Sequence, residues 1–270
     1  MKLKEIPVSL FNQIKLASKS PKKLMAGKNK IPVIVSLASI PSRLGIVHIT
    51  VRSIMNQNIL PEKIILWLHE DLKEQIPNKL AKLTDNLFSI QFTTYSSSHR
   101  KLVEPLKIYP DKTIVTCDDD MIYRKDWLSK IYEAHQANPN CIMANQTRCI
   151  SYDKTGELLP YKNWASRTTC PNTNATLPIG AGGTLYPPGT LDNKVFDQEL
   201  FLQLAPKADD LWFKAMGLLK GTISMKASNS GNEPIPILGS QKDSLKKTNI
   251  KEDKNRTQWL ALTEYFQIKI

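Results

Sequence analysis

The sequence lacks any apolar run long enough to cross a bilayer. Stretches such as 64–68 and 260–262 fall far short of the ~20 residues that a transmembrane helix needs. It also opens without the charged, apolar and small-residue succession of a secretory signal, so the expectation is a soluble, cytoplasmic protein. Cysteine is scarce. Cys117, Cys141, Cys149 and Cys170 match neither the paired spacing of a zinc knuckle nor a compact disulfide framework, and they read as buried or idle thiols. The four histidines, His48, His69, His99 and His135, all lie in the first half. No glycine-rich loop ending in GK[ST] is present, which excludes a phosphate P-loop.

What is present bounds the answer from the other side. With 270 residues and 41% hydrophobic content the chain can bury one sizeable core. Its net charge of +12 implies an anionic partner without saying whether that is nucleic acid, a phospholipid surface or a nucleotide. Residues 1–30 hold eight lysines against a single acid, Glu5, with Val8, Leu10, Phe11, Ile14 and Leu16 among them. That composition fits a basic amphipathic segment docking on anionic lipid, and equally a loosely packed leader. Residues 1–30 are accordingly set apart from one domain over 31–270.

From residue 31 onward, short apolar β-branched runs alternate with helical patterns. Strands are expected at 31–37, 63–68, 88–94 and 113–116, with helices at 43–56, 71–87, 101–108 and 125–137. This alternation predicts right-handed βαβ units and an α/β fold with a doubly wound, mostly parallel sheet, whose ligands bind beyond the carboxyl ends of the strands. After residue 138 Pro, Gly, Asn and Thr become frequent, which predicts loops and short strands packed beside the sheet.

Asp118, Asp119 and Asp120 follow the fourth strand directly, where such a ligand site is expected. Three adjacent carboxylates repel one another, and a cation among them relieves the repulsion. A hard divalent ion would take one or two of these oxygens and bridge to a nucleotide diphosphate. A solvated turn ahead of a helix N-terminus is the alternative account of the same acids.

The run 116–123 followed by Trp127 resembles the DxD metal motif of bacterial GT-A glycosyltransferases, family-2-like enzymes that build capsular or lipopolysaccharide glycans. Four further segments resemble the same group: 36–43 with Gln57, 64–68, 180–188 and 208–212. The resemblance covers most of 31–265 and implies a GT-A-like fold with a loop-rich carboxyl-terminal acceptor region. It implies Mn2+ or Mg2+ at Asp118 and Asp120, and a nucleotide-sugar donor, a UDP-sugar first, with an inverting transfer to a hydroxyl of a glycan or lipid-linked glycan.

The same resemblance places the nucleotide against Ser36, Leu37, Ser39, Arg43, Lys101, Asp118 and Asp119. Arg43 offers a planar fork to a phosphate, or else caps its helix. Backbone amides of Gly182 and Gly183 would line the donor sugar, because glycine permits close approach; a purely structural turn is the other reading. Asp209 and Asp210 stand where the group keeps its general base, Asp210 foremost, while Asp209 could instead cap its helix. Trp212 reads as core. The group's late histidine ligand has no counterpart, and Asn255-Arg256 stands where an Asn-Asp pair is expected, within a segment from 240 to 258 that also holds Asn249.

Two rival functions remain in view. A metal-dependent nucleotidyltransferase would use the same acids but should carry a basic, glycine-rich loop after the first strand, and 36–43 has no glycine. A nucleic-acid-binding protein would pair its charge with aromatics, which make up only 7% here, so no nucleic-acid partner is expected. Contact with the inner face of the plasma membrane through residues 1–30 would suit a membrane-proximal acceptor.

Overall fold

A computed structural model describes residues 5–166, 169–240 and 252–270. Two amino-terminal helices, α1 (Ile6–Ala17) and α2 (Pro21–Met25), precede strand β1 (Lys30–Ala38). The chain continues through α3 (Val47–Met55), β2 (Leu60–His69), α4 (Asn78–Ala81), β3 (Phe88–Thr93), α5 (Arg100–Ile108) and β4 (Thr113–Thr116). Then come β5 (Met121–Ile122), α6 (Trp127–Ala137), β6 (Ile142–Ala144), β7 (Thr147–Cys149), β8 (Thr176–Pro178) and β9 (Thr184–Tyr186). The remaining elements are α7 (Gln198–Leu204), α8 (Asp209–Leu219), β10 (Ser224–Lys226), β11 (Ile235–Pro236) and α9 (Lys254–Phe266).

The expected α/β architecture is observed: a mostly parallel seven-stranded sheet in the order β10-β6-β9-β4-β1-β2-β3. β1 pairs in parallel with both β2 and β4, while β9 runs antiparallel between β4 and β6. Central parallel strands are covered on both faces, which explains the unbroken apolar run in β1. Val33, Val35 and Leu37 pack in one layer with α3 and α6. Ile34, facing the other way, packs in a second layer with α5, α8 and α9, where Trp212 and Trp259 are fully enclosed.

Three sequence expectations are corrected. The helix expected over 71–87 is only a 3-10 turn (Glu70–Gln75) and the short α4, because Pro77 disfavours helical backbone at the residue before it. The short strands β6, β9 and β10 do not lie beside the sheet but extend it. Cys149 and Cys170 are not idle thiols: they form a disulfide across 21 residues, leaving Cys117 and Cys141 free. Sequence spacing misses this pair because the chain between them returns through tertiary folding.

Residues 5–30 are docked rather than loose. Leu16 of α1 and Leu24 of α2 join the core layer that contains α3. Arg52 of α3 fastens the end of α1 by donating to the carbonyls of Leu16, at 3.2 Å, and Lys19, at 2.7 Å.

Candidate functional site

After β1 the chain turns to β2 on one side, while β4 returns on the other side of β1. That reversal makes a crevice at the carboxyl ends of β1 and β4, where doubly wound sheets hold ligands. The backbone delivers Ser39 from one strand and Asp118, Asp119 and Asp120 from its neighbour. Because β9 is antiparallel, its leading residues 180–183 also arrive at this end, with Thr184 opposite Thr116. Ser98 and Lys101, at the start of α5, reach the same edge from β3.

Asp119 is the tie between the two strand ends. It is buried, accepts from Ser39 Oγ, and accepts from Arg43 Nη1 at 2.6 Å. Arg43 Nη2 lies 3.2 Å from Asp120 Oδ2, so one guanidinium spans two acids of the triplet. Burial disfavours the Arg43 charge, but Asp119 and Asp120 outweigh it and raise its pKa. Ser39 is held in turn by Arg100, whose Nη2 donates to its carbonyl at 2.5 Å. Asp120 is pushed up to about 7, first by burial and then by the charge of Asp118.

The second centre is a lysine between acids. Lys101 Nζ lies 3.0 Å from Asp118 Oδ1 and 2.9 Å from Asp209 Oδ2. Burial would strip its proton, but the carboxylates around it raise its pKa well above the ordinary value. Asp209 also accepts from Ser98 Oγ at 2.9 Å; the N-cap position of α8 is Ala208, and the Asp209 side chain serves this cluster. Burial pushes Asp209 up, yet Lys101 holds it below the usual carboxylate range.

Asp210, its neighbour in the first turn of α8, has the opposite fate. Burial and the Asp209 charge push it up to about 7, while both its oxygens accept from the Gly180 amide at 3.1 Å. Two adjacent acids with their pKa values driven apart are the usual signature of divided acid–base roles.

Other expected residues are placed differently. Ser36 and Leu37 are fully buried within β1, and Ser36 Oγ accepts the Trp67 indole N–H at 3.0 Å. Their side chains are part of the core, since a central strand is covered on both faces. The amides of Gly182 and Gly183 donate to the Ile179 and Gly180 carbonyls at 3.0 and 2.9 Å. These glycines are required by packing. A Cβ on Gly183, at φ +92°, would lie 2.6 Å from the Trp127 ring, and one on Gly182 would strike Gln146. Trp127 Nε1 donates to the Gly182 carbonyl at 2.7 Å.

Several contributors have no role assigned by the sequence pattern. Ser98 and the Gly180 amide act only by position. Tyr123 accepts from the Asp118 amide at 2.9 Å and donates to the Ala181 carbonyl at 3.1 Å, bridging the triplet to the glycine turn. Asn145, only 8% exposed, has neither polar side-chain atom satisfied among the described residues. It lines a small recess with Asp126, Trp127, Gln146 and Gly182. Asn249 lies outside the described residues, whereas Asn255 sits in the first turn of α9.

Among the described residues no three His, Cys, Asp or Glu side chains converge as a metal cage. Asp118 and Asp120 offer hard oxygen donors only, and the Asp118 side chain is 33% exposed. That donor set fits a magnesium-like ion, which takes one or two carboxylates and completes its shell with water and substrate phosphate.

No helix among the described residues is long and apolar enough to cross a membrane. No family model matches the chain, and no curated protein does. Among solved structures it is similar to the crystal structure of 4-diphosphocytidyl-2C-methyl-D-erythritol synthase from Anaerococcus prevotii DSM 20548. The TM-score is 0.45 and the identity 14%, over 87% of this chain and 99% of that one. A likeness of that size assigns no chemistry, so what the crevice can do rests on its own side chains.

Proposed function

We propose that the chain transfers a sugar from a nucleoside-diphosphate donor, a UDP-sugar first, to a hydroxyl of an acceptor glycan, with Asp210 as the base. The observation that carries this is Asp210 itself. It is a half-buried carboxyl whose pKa is pushed up to about 7 by desolvation and the Asp209 charge, held by the Gly180 amide in the same cluster as Lys101 and Asp118. A group poised near the working pH can take a proton and still release it.

In the proposed step the acceptor hydroxyl gives its proton to Asp210 and its oxygen bonds to the anomeric carbon. The bond from that carbon to the diphosphate oxygen breaks, and the electron pair leaves with the nucleoside diphosphate. A base that directs the acceptor to the face opposite the leaving group gives inversion. Lys101 keeps Asp209 ionised and pairs with Asp118, and Arg43 holds Asp119 and Asp120 in place. Asp118 and Asp120 are the residues that would hold Mn2+ or Mg2+. When bound, such an ion supplies positive charge against the leaving diphosphate.

Nucleotidyl transfer is the alternative. It would use the same acids. The two readings differ in product. The test is incubation with UDP-, GDP- and CMP-sugars and, separately, nucleoside triphosphates, each with manganese or magnesium. The expected result is nucleoside diphosphate released from a sugar donor and lost in Asp210→Asn. Pyrophosphate released from a triphosphate, or full turnover by Asp210→Asn, would overturn the assignment.

A further inference from the structure

We propose that the solvent-facing stripe of α1 docks the protein on an anionic lipid bilayer, with Phe11 and Ile14 entering the interface. The helix has two opposed faces. One is fixed to the body: Leu16 is in the core, and Ser9 Oγ donates to the Pro236 carbonyl at 2.7 Å. At the ~100° per residue of an α-helix, Val8, Leu10, Phe11 and Ile14 fall on the other face. Those four side chains are between 45 and 63% exposed, and Pro7 beside them is exposed as well. A contiguous apolar strip on a rigidly held helix needs a partner.

Charge selects which partner. Lys15 is exposed on the same helix, Lys22, Lys23 and Lys30 are exposed in the residues that follow it, and Glu5 is the sole acid in residues 1–30. Lys15 Nζ sits 5.7 Å from the centre of the Phe11 ring, an ammonium head beside an apolar side chain. A nucleic acid would use the lysines but leave the Phe, Ile, Leu and Val strip in water. An anionic bilayer surface satisfies both, taking the apolar side chains into its boundary and the lysines onto its headgroups.

The position of α1 ties this surface to the crevice. Pro236, which holds Ser9, pairs with Met121 directly after the acidic triplet, and the Ile237 amide donates to the Asp120 carbonyl at 2.8 Å. On the function proposed above, docking places the crevice beside a bilayer, where a lipid-linked acceptor would be met.

The test is sedimentation of the full chain with phosphatidylglycerol-containing vesicles and with pure phosphatidylcholine vesicles, at low and physiological salt. Binding to the anionic vesicles is expected, falling about tenfold or more in a Phe11→Ser/Ile14→Ser variant. Lys22→Gln/Lys23→Gln should bind more weakly and respond less to salt. Light scattering and a thermal melt of each variant separate lost docking from lost folding. Equal binding by the serine variant, no sedimentation at all, or a dimer that Phe11→Ser breaks would each overturn the proposal. None of these readouts needs a sugar donor, so absence of glycosyl transfer leaves the result intact. A soluble acceptor should be turned over equally by the docking variant.

Discussion

The Gly180 amide donates to both oxygens of Asp210 at 3.1 Å, and no side chain larger than hydrogen fits between them. A Cβ on Gly180 would stand 2.8 Å from Asp210 Oδ1 and 3.1 Å from Lys101 Nζ. Gly180→Ala should therefore push the carboxylate aside while leaving the fold intact. The expected result is a fall of roughly 10–100-fold in kcat with little change in donor KM, since small misplacement of a reacting group costs on that order. Steady-state kinetics beside an unchanged circular dichroism spectrum checks it.

Asp210 also makes stability and activity oppose each other. Its folded pKa is raised to about 7 by burial and by Asp209. The folded state thus holds a proton that the unfolded chain releases near pH 4. The resulting stability is full below that pH and is lost as pH rises through about 7. Asp210→Asn lacks this loss. It should melt about 2–6 °C above the wild type at pH 8, equivalent to about 1–2 kcal/mol, and level with it near pH 4. The wild-type kcat/KM should rise with pH through a value near 7. Paired melting curves and a pH–rate profile decide both.

Lys214 is a second buried ionisable group, but without the partners that Lys101 enjoys. It is 2% exposed on α8, its Nζ has no hydrogen-bond partner among the described residues, and burial lowers its pKa to about 8. A lowered lysine pKa means that the unfolded chain binds more protons, so stability rises as pH climbs from about 8 toward the ordinary lysine range. Lys214→Met should remove that slope and be more stable at pH 7 by about 1–2 kcal/mol. Urea titrations at pH 7 and pH 10 test it, and destabilisation at pH 7 would show that the ammonium has a partner.

The Cys149–Cys170 bridge closes a loop of moderate length. Cross-linking a loop of this size stabilises by about 3 kcal/mol in the chain-entropy account. A Cys149→Ser/Cys170→Ser variant should melt several degrees lower than the wild type. Alkylation of the denatured protein without reductant should label Cys117 and Cys141 alone, and all four after reduction. Because such bonds persist in oxidising surroundings and are reduced in most cytosols, the same labelling in whole cells reports the compartment.

Much of the architecture was legible in order along the chain. The β-branched run of β1, the strand ending before Asp118 and the helix opening at Asp209 are all local patterns, set by side-chain period and by steric preference. The acidic triplet was legible too, because a strand end followed by adjacent carboxylates is a local fact. What the triplet does was not. Asp119 is consumed by Ser39 and Arg43, and Lys101 is wedged between Asp118 and Asp209, residues far apart in sequence.

The α/β alternation, the basic amino-terminal segment and the candidate acids were readable from residue order alone, since propensity, period and charge belong to residues and their near neighbours. The packed fold makes Ser36 and Leu37 core, spends the Gly182 and Gly183 amides within their own turn and brings Cys149 to Cys170. It also decided that Asp209 and Asp210 titrate apart. Burial and electrostatic coupling depend on which distant side chains the sheet order brings within a few ångströms, and the antiparallel entry of β9 is what carries Gly180 to Asp210.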